Sequence, residues 1–190
     1  MYKRQVYENA VGKRPSYIIY AKGDSSKTNL VSSKFTAGAA FTLPTNNDAA
    51  AQSTTVTLNG ADKGDYVLEL TVGGATKTVE FSVAAQTITA LGTLTGLPTA
   101  SDPAATVNGG YTVTGMTTGL SAAVSVVEKT NNGATEGTIE QNDIATATLT
   151  ITAADANHVL GAAPAAPAGG WVAGTHTATS WVYTLDITVA

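Results

Sequence analysis

The sequence predicts an all-β chain built as two antiparallel β-sandwiches in tandem. Three observations lead there. Thr and Ala supply 32 residues each of 190, and β-branched Thr suits a pleated surface better than a helix. Several stretches alternate apolar and polar residues with period two, the signature of a strand with one buried face. Almost no stretch repeats at helical spacing. Hydrophobic residues make up 43% of the chain, enough to fill real cores, and 190 residues accommodate one or two domains.

In chain order, the apolar run SYIIYA (Ser16–Ala21) reads as the first strand, and KGDSSKTN after it as a loop. KFTAGAAFTL (Lys34–Leu43) reads as a strand with a glycine bend, ended by Pro44. TTVTLNG places Val56 and Leu58 on one face. DYVLELTV sets Tyr66, Leu68, Leu70 and Val72 inward against Val67, Glu69 and Thr71, and TKTVEFSV sets Val79, Phe81 and Val83 inward against Thr78, Glu80 and Ser82. The paired glycines of GGAT between them accept the positive φ of a tight turn, so residues 65–83 form a β-hairpin.

DKGDY, with Asp62, Gly64 and Tyr66, resembles the D-x-G-x-Y stretch that enters the penultimate strand of immunoglobulin-like domains. That resemblance implies a tyrosine corner, in which the Tyr66 hydroxyl reaches back to the backbone just upstream. The position two residues after the Tyr, a Cys in antibody domains, is Leu68, as suits an Ig-like domain without a disulfide. The implied division is an Ig-like sandwich over residues 16–85 and a second, Ig-like sandwich over 86–190. Residues 1–15 are set aside as artefact and linker, because MYKRQ (Met1–Gln5) resembles a translated sequencing-adapter end. The chain is then expected to be a C-terminal fragment of a longer protein.

Strands of the second unit are expected in QTITALGTL, GYTVTGM, AAVSVVEKT, TATLTITA and SWVYTLDITV. In the last, Trp181, Tyr183, Leu185, Ile187 and Val189 share one face. TNNGATEGT reads as a turn, GAAPAAPAGG as a surface loop, and TAADANHVLGAA as the one stretch able to form a turn of helix.

Charge and composition remove several function classes. Residues 1–85 carry nine basic and seven acidic side chains, whereas 86–190 carry one, Lys129, against seven. Nucleic-acid binding needs a basic face to displace counterions, and the acidic half has none. The absence of Cys excludes disulfides and thiolate chemistry. No apolar run approaches the ~20 residues that span a bilayer as a helix.

The residues able to do chemistry are sparse. His158 and His176 lack any nucleophile-elbow or triad signature, so no catalytic residue, cofactor or metal site is assigned. Asp102, Asp143 and Asp155 lie in loops of the acidic half, where oxygen ligands could hold Ca²⁺, although no spaced calcium loop is present. Trp171, after APAGG, is the candidate for stacking on a sugar, and Trp181 belongs to the core. Lys22–Asp24 (KGD) is similar to an integrin-recognition tripeptide, but Gly-Asp is better explained by a turn. Thr-rich edge strands with few Lys have little protection against strand addition.

These readings point to a non-catalytic structural or adhesive module of a bacterial surface or secreted protein. Its partners would be neighbouring domains of the parent chain and a glycan or host-surface protein. The alternatives are a carbohydrate-binding accessory of a secreted glycoside hydrolase, which requires an exposed aromatic platform, and an Ig-like decoration domain of a phage capsid or tail, which requires self-assembly or docking on a capsid.

Overall fold

Antiparallel sheets dominate the computed structural model, which describes residues 16–36, 56–58 and 62–190. The chain divides into two compact units, 1–84 and 85–190.

In the first unit, β1 (Ser16–Ala21), β4 (Gly64–Val72) and β5 (Ala75–Val83) form a three-stranded antiparallel sheet with β4 at its centre. A second pair, β2 (Phe35–Thr36) with β3 (Thr57–Leu58), runs antiparallel. The hairpin turns on Gly73 and Gly74, at φ 57° and 86°, between the paired Val72 and Ala75. Two residues with positive φ match the right-handed twist of the strands they join. Ile19, Phe35 and Tyr66 are buried together and are flanked by Leu30, Val31, Val56, Leu68, Phe81 and Val83. Phe35 meets Tyr66 and Phe81 edge-on, with ring centroids 5.3 and 5.9 Å apart. Tyr66 and Phe81 stack at 5.8 Å.

Two expected orientations fail here. Val67 should face outward, yet it is buried, because Tyr20 pairs with it from β1 and is buried as well. At this pair the outer face of the central strand is buried too, whereas Asp65 on the same face is exposed. Val79 should face inward, yet it is 57% exposed: it sits on the edge strand β5, and the buried cluster ends at Leu68 and Phe81. The predicted strand from Lys34 is described only as far as Thr36, and its remainder, 37–43, lies outside the described residues.

In the second unit, β9 (Leu120–Thr130), β10 (Ile144–Ala153), β12 (Val172–Ala173) and β13 (Ser180–Thr188) form an antiparallel sheet in the order β12-β13-β10-β9. The inward residues of β13, Trp181, Tyr183, Leu185 and Ile187, and Val189 just beyond it are all under 5% exposed. Across from them Ala145, Ala147, Leu149 and Ile151 of β10 have no exposed surface. Burying each large aliphatic side chain of this kind stabilises the fold by about 1.5–3 kcal/mol.

The core is completed by Ile88, Leu91, Val107, Leu120 and Trp171, with Leu94, Leu97, Val113, Met116 and Leu160 packed against it. These residues come from β6 (Gln86–Ile88), β7 (Gly92–Thr95), the helix α1 (Ala104–Gly109), β8 (Thr114–Met116), β11 (His158–Leu160) and the loops between them. β7 pairs with β8 antiparallel. A Cβ on Gly115 would overlap the carbonyl oxygen of Thr93, and one on Gly92 would lie 2.5 Å from the carbonyl oxygen of Gly115. Glycine is therefore required for these two backbones to approach.

QTITALGTL is two strands, β6 and β7, rather than one. The stretch expected to form a helical turn holds instead the end of β10, a turn, and β11, which pairs parallel with β6. Pairing with β6 supplies the hydrogen bonds that a helix would otherwise make internally. The helix lies upstream, between β7 and β8: Pro103 precedes it, Gly110 at φ 80° ends it, and Val107 anchors it in the core.

Candidate functional site

Each sequence-marked residue is bound into local structure. Tyr66 donates its hydroxyl hydrogen to the carbonyl oxygen of Asp62 at 2.7 Å, while its ring lies in the aromatic cluster. Gly64 begins β4 between them. The bond reaches back four residues over the entry to the central strand.

Trp171 does not offer its face to a sugar. It is 6% exposed and belongs to the core of the second unit. Gly169 and Gly170 before it, at φ 94° and 95°, turn the chain so that the ring enters the core and Val172 is left 58% exposed. Trp181 is also buried and donates its ring N–H to the Gly161 carbonyl at 3.3 Å. With both rings enclosed, the stacking role read into Trp171 is corrected to packing. GAAPAAPAGG is likewise more than a surface loop. Ala163 and Ala166 pack on the core, and the Pro164 carbonyl accepts the Tyr183 hydroxyl at 3.0 Å.

The two histidines stand apart in structural roles. His176 Nδ1 accepts the Val182 N–H at 2.9 Å, and its ring meets Tyr183 edge-on. His158 Nδ1 lies 2.7 Å from Asp155 Oδ1, within one turn of chain. Asp155 also accepts the Asn157 N–H at 2.8 Å. The hydrogen bond from His158, ahead of other causes, holds the Asp155 carboxyl below its ordinary range.

The acidic loop residues do not converge. Asp102 accepts the Thr99 N–H at 3.0 Å and the Tyr111 hydroxyl at 2.7 Å. Burial and the bond to Asp102 push the Tyr111 phenol well above its usual range. Asp143 organises the connection between β9 and β10, a role its sequence context does not signal. Fully enclosed, it accepts the N–H of Asn132 (2.7 Å) and Gly133 (2.8 Å) on one oxygen and that of Glu140 (2.7 Å) on the other. These donors, Glu140 first, keep its carboxyl below the ordinary value. Glu140 in turn accepts the Ala134 and Thr135 N–H groups, and Glu128 that of Gly137. Among the described residues no group of three or more His, Cys, Asp or Glu is placed to hold a metal ion. Asp102, Asp143 and Asp155 each accept hydrogen bonds within their own loops and are not gathered into one such cluster.

In the first unit Lys22 pairs with Glu80 at 2.6 Å, and Asp24 accepts the N–H groups of Ser26 and Thr28 at 2.9 and 2.8 Å. KGD is thus spent on a turn and an ion pair. An apolar cavity of about 310 Å³ lies against Ile19, Phe35, Val56, Leu68, Phe81 and Val83. Its polar lining is Ser82, whose hydroxyl is committed to Asp65 at 2.6 Å. No acid–base pair faces it among the described residues. No described helix is long and apolar enough to cross a membrane.

Comparison of the chain with family models, curated proteins and solved structures gives no match.

Proposed function

We propose that this chain is a non-catalytic structural and adhesive module of a bacterial surface or secreted protein, with two Ig-like sandwiches in tandem that space or display neighbouring domains. The observation that carries this reading is β13. It is hydrogen-bonded antiparallel to β10 through nine consecutive pairs, from Ser180↔Thr152 to Thr188↔Ile144, and its inward side chains fill the core. Tension along the strand loads that ladder in shear, with many hydrogen bonds resisting together. The Tyr66–Asp62 bond and the two-residue hairpin support the Ig-like assignment of the first unit. The engagement of His158, His176 and the loop carboxylates in local hydrogen bonds supports a non-catalytic role. The carbohydrate-binding alternative loses its aromatic platform with the burial of Trp171 and Trp181.

Single-molecule pulling on the full chain from its two ends tests the proposal. A spacer unfolds in two discrete force peaks, one per unit. Smooth extension without a peak refutes a load-bearing role.

A further inference from the structure

Independently of that reading, we infer that the outer edge of β9 is a self-association surface, which takes the same strand of a second copy in antiparallel register. β9 is an 11-residue strand at the edge of its sheet, and among the described residues it pairs with β10 alone. Such an edge presents a row of unpaired N–H and C=O groups.

The core is open on this side. Ala122, Val124 and Val126 face inward but remain partly exposed, whereas the β10 residues beside them are fully buried. A strand added beyond β9 would cover them. The outer face adds Val127, 65% exposed. The protective devices of natural edges are missing over Leu120–Val127. LSAAVSVV contains no charge, Pro or Gly, which is the composition that favours pairing of identical segments.

The occupant follows from charge and symmetry. Glu128 and Lys129 sit together at one end of β9. In-register parallel pairing would set each beside its like, whereas antiparallel pairing about Val124 puts them at opposite ends of the ladder. Ser121 then faces Val127 of the second copy, Ala122 faces Val126, and Ala123 faces Ser125, so inward residues meet inward residues. The opposite edge of the sheet, β12, has two residues, too few to continue the pairing. The assembly is therefore a closed two-fold dimer rather than a filament.

Sedimentation of the full chain over a wide concentration range, with the variant S125K/V127K beside it, is the test. Both positions are exposed, and four lysines would crowd the two-fold axis. The expected result is a monomer–dimer equilibrium, weakened at least about tenfold by the substitutions, with unchanged far-UV circular dichroism. A native chain that stays monomeric, a dimer indifferent to the substitutions, or an open polymer overturns the inference. If the variant fails to fold, hydrogen exchange on the native chain decides. Amides within 121–127 gain protection with concentration if β9 is the interface, and an absence of any gain there refutes it.

Discussion

The Tyr66 hydroxyl and the Asp62 carbonyl, 2.7 Å apart, join the first turn of chain before β4 to the strand's buried face. The same side chain stacks on Phe81 and meets Phe35 edge-on, so one residue serves both the core and the strand's entry. Tyr66→Phe keeps the ring contacts and removes the hydrogen bond. It should cost about 1 kcal/mol, with part of the loss coming from the carbonyl left without its donor. Tyr66→Ala should cost about 3–5 kcal/mol. Urea unfolding followed by circular dichroism measures both. Equal losses for the two variants would show that the hydroxyl, not the ring, dominates.

Both Trp residues lie in the second unit and are buried. Native emission should therefore be blue-shifted, resistant to iodide quenching and indifferent to added soluble saccharides. Trp181→Ala should destabilise the unit by about 3–5 kcal/mol. A saccharide-dependent change in emission that Trp171→Phe abolishes would reinstate the stacking role.

Acid should weaken the second unit in a defined sense. Asp143, Asp155 and Asp186 all have carboxyls held below the ordinary value of 3.8, by the Glu140 N–H, by His158 and by Lys129 respectively as the leading causes. A carboxyl depressed in the folded state binds its proton more readily when unfolded. Its contribution is complete above the unfolded value and is lost as pH falls through the folded one. The urea midpoint read by Trp fluorescence should stay level from neutrality down toward that value and drop below it. Asp143→Asn should lower the midpoint at neutral pH and flatten the acid limb. A midpoint that rises on acidification would contradict the assignment.

Gly115→Ala should destabilise the second unit by roughly 3 kcal/mol, because it combines a φ of 76° with an overlap on the Thr93 carbonyl. Gly109→Ala, where a Cβ meets nothing within 4 Å, is the control and should be nearly neutral. Thermal unfolding of the two variants side by side measures the contrast.

The legibility of this fold follows the range over which each signal acts. The alternation in SWVYTLDITV appears directly as one-sided burial, because every second residue of β13 meets the same core. The hairpin was legible for the same local reason, with two glycines in the turn. Val67 was not, since its burial depends on Tyr20, which β1 brings across the sheet. β11 was missed because its partner β6 lies far away in sequence, and three-residue strands have no period to read. α1 was missed because Pro103 and Gly110 mark turns as readily as helix ends. Asp143 shows the limit most sharply, since an Asn-Asp pair in a polar loop looks solvated until three amides are seen to converge on it.

The position of β13 within its sheet has a consequence for synthesis on the ribosome. The strand that brings Trp181, Tyr183, Leu185 and Ile187 into the core is made after every other strand of its unit, yet it occupies the sheet's interior. Until it emerges, β10 presents the apolar side chains of Ala145, Ala147, Leu149 and Ile151 with no neighbour on that flank. The unit therefore cannot settle progressively as it leaves the exit tunnel. It must wait as an unfinished β9–β10 hairpin, its apolar flank open to chaperones and to like chains, and then close in a late step.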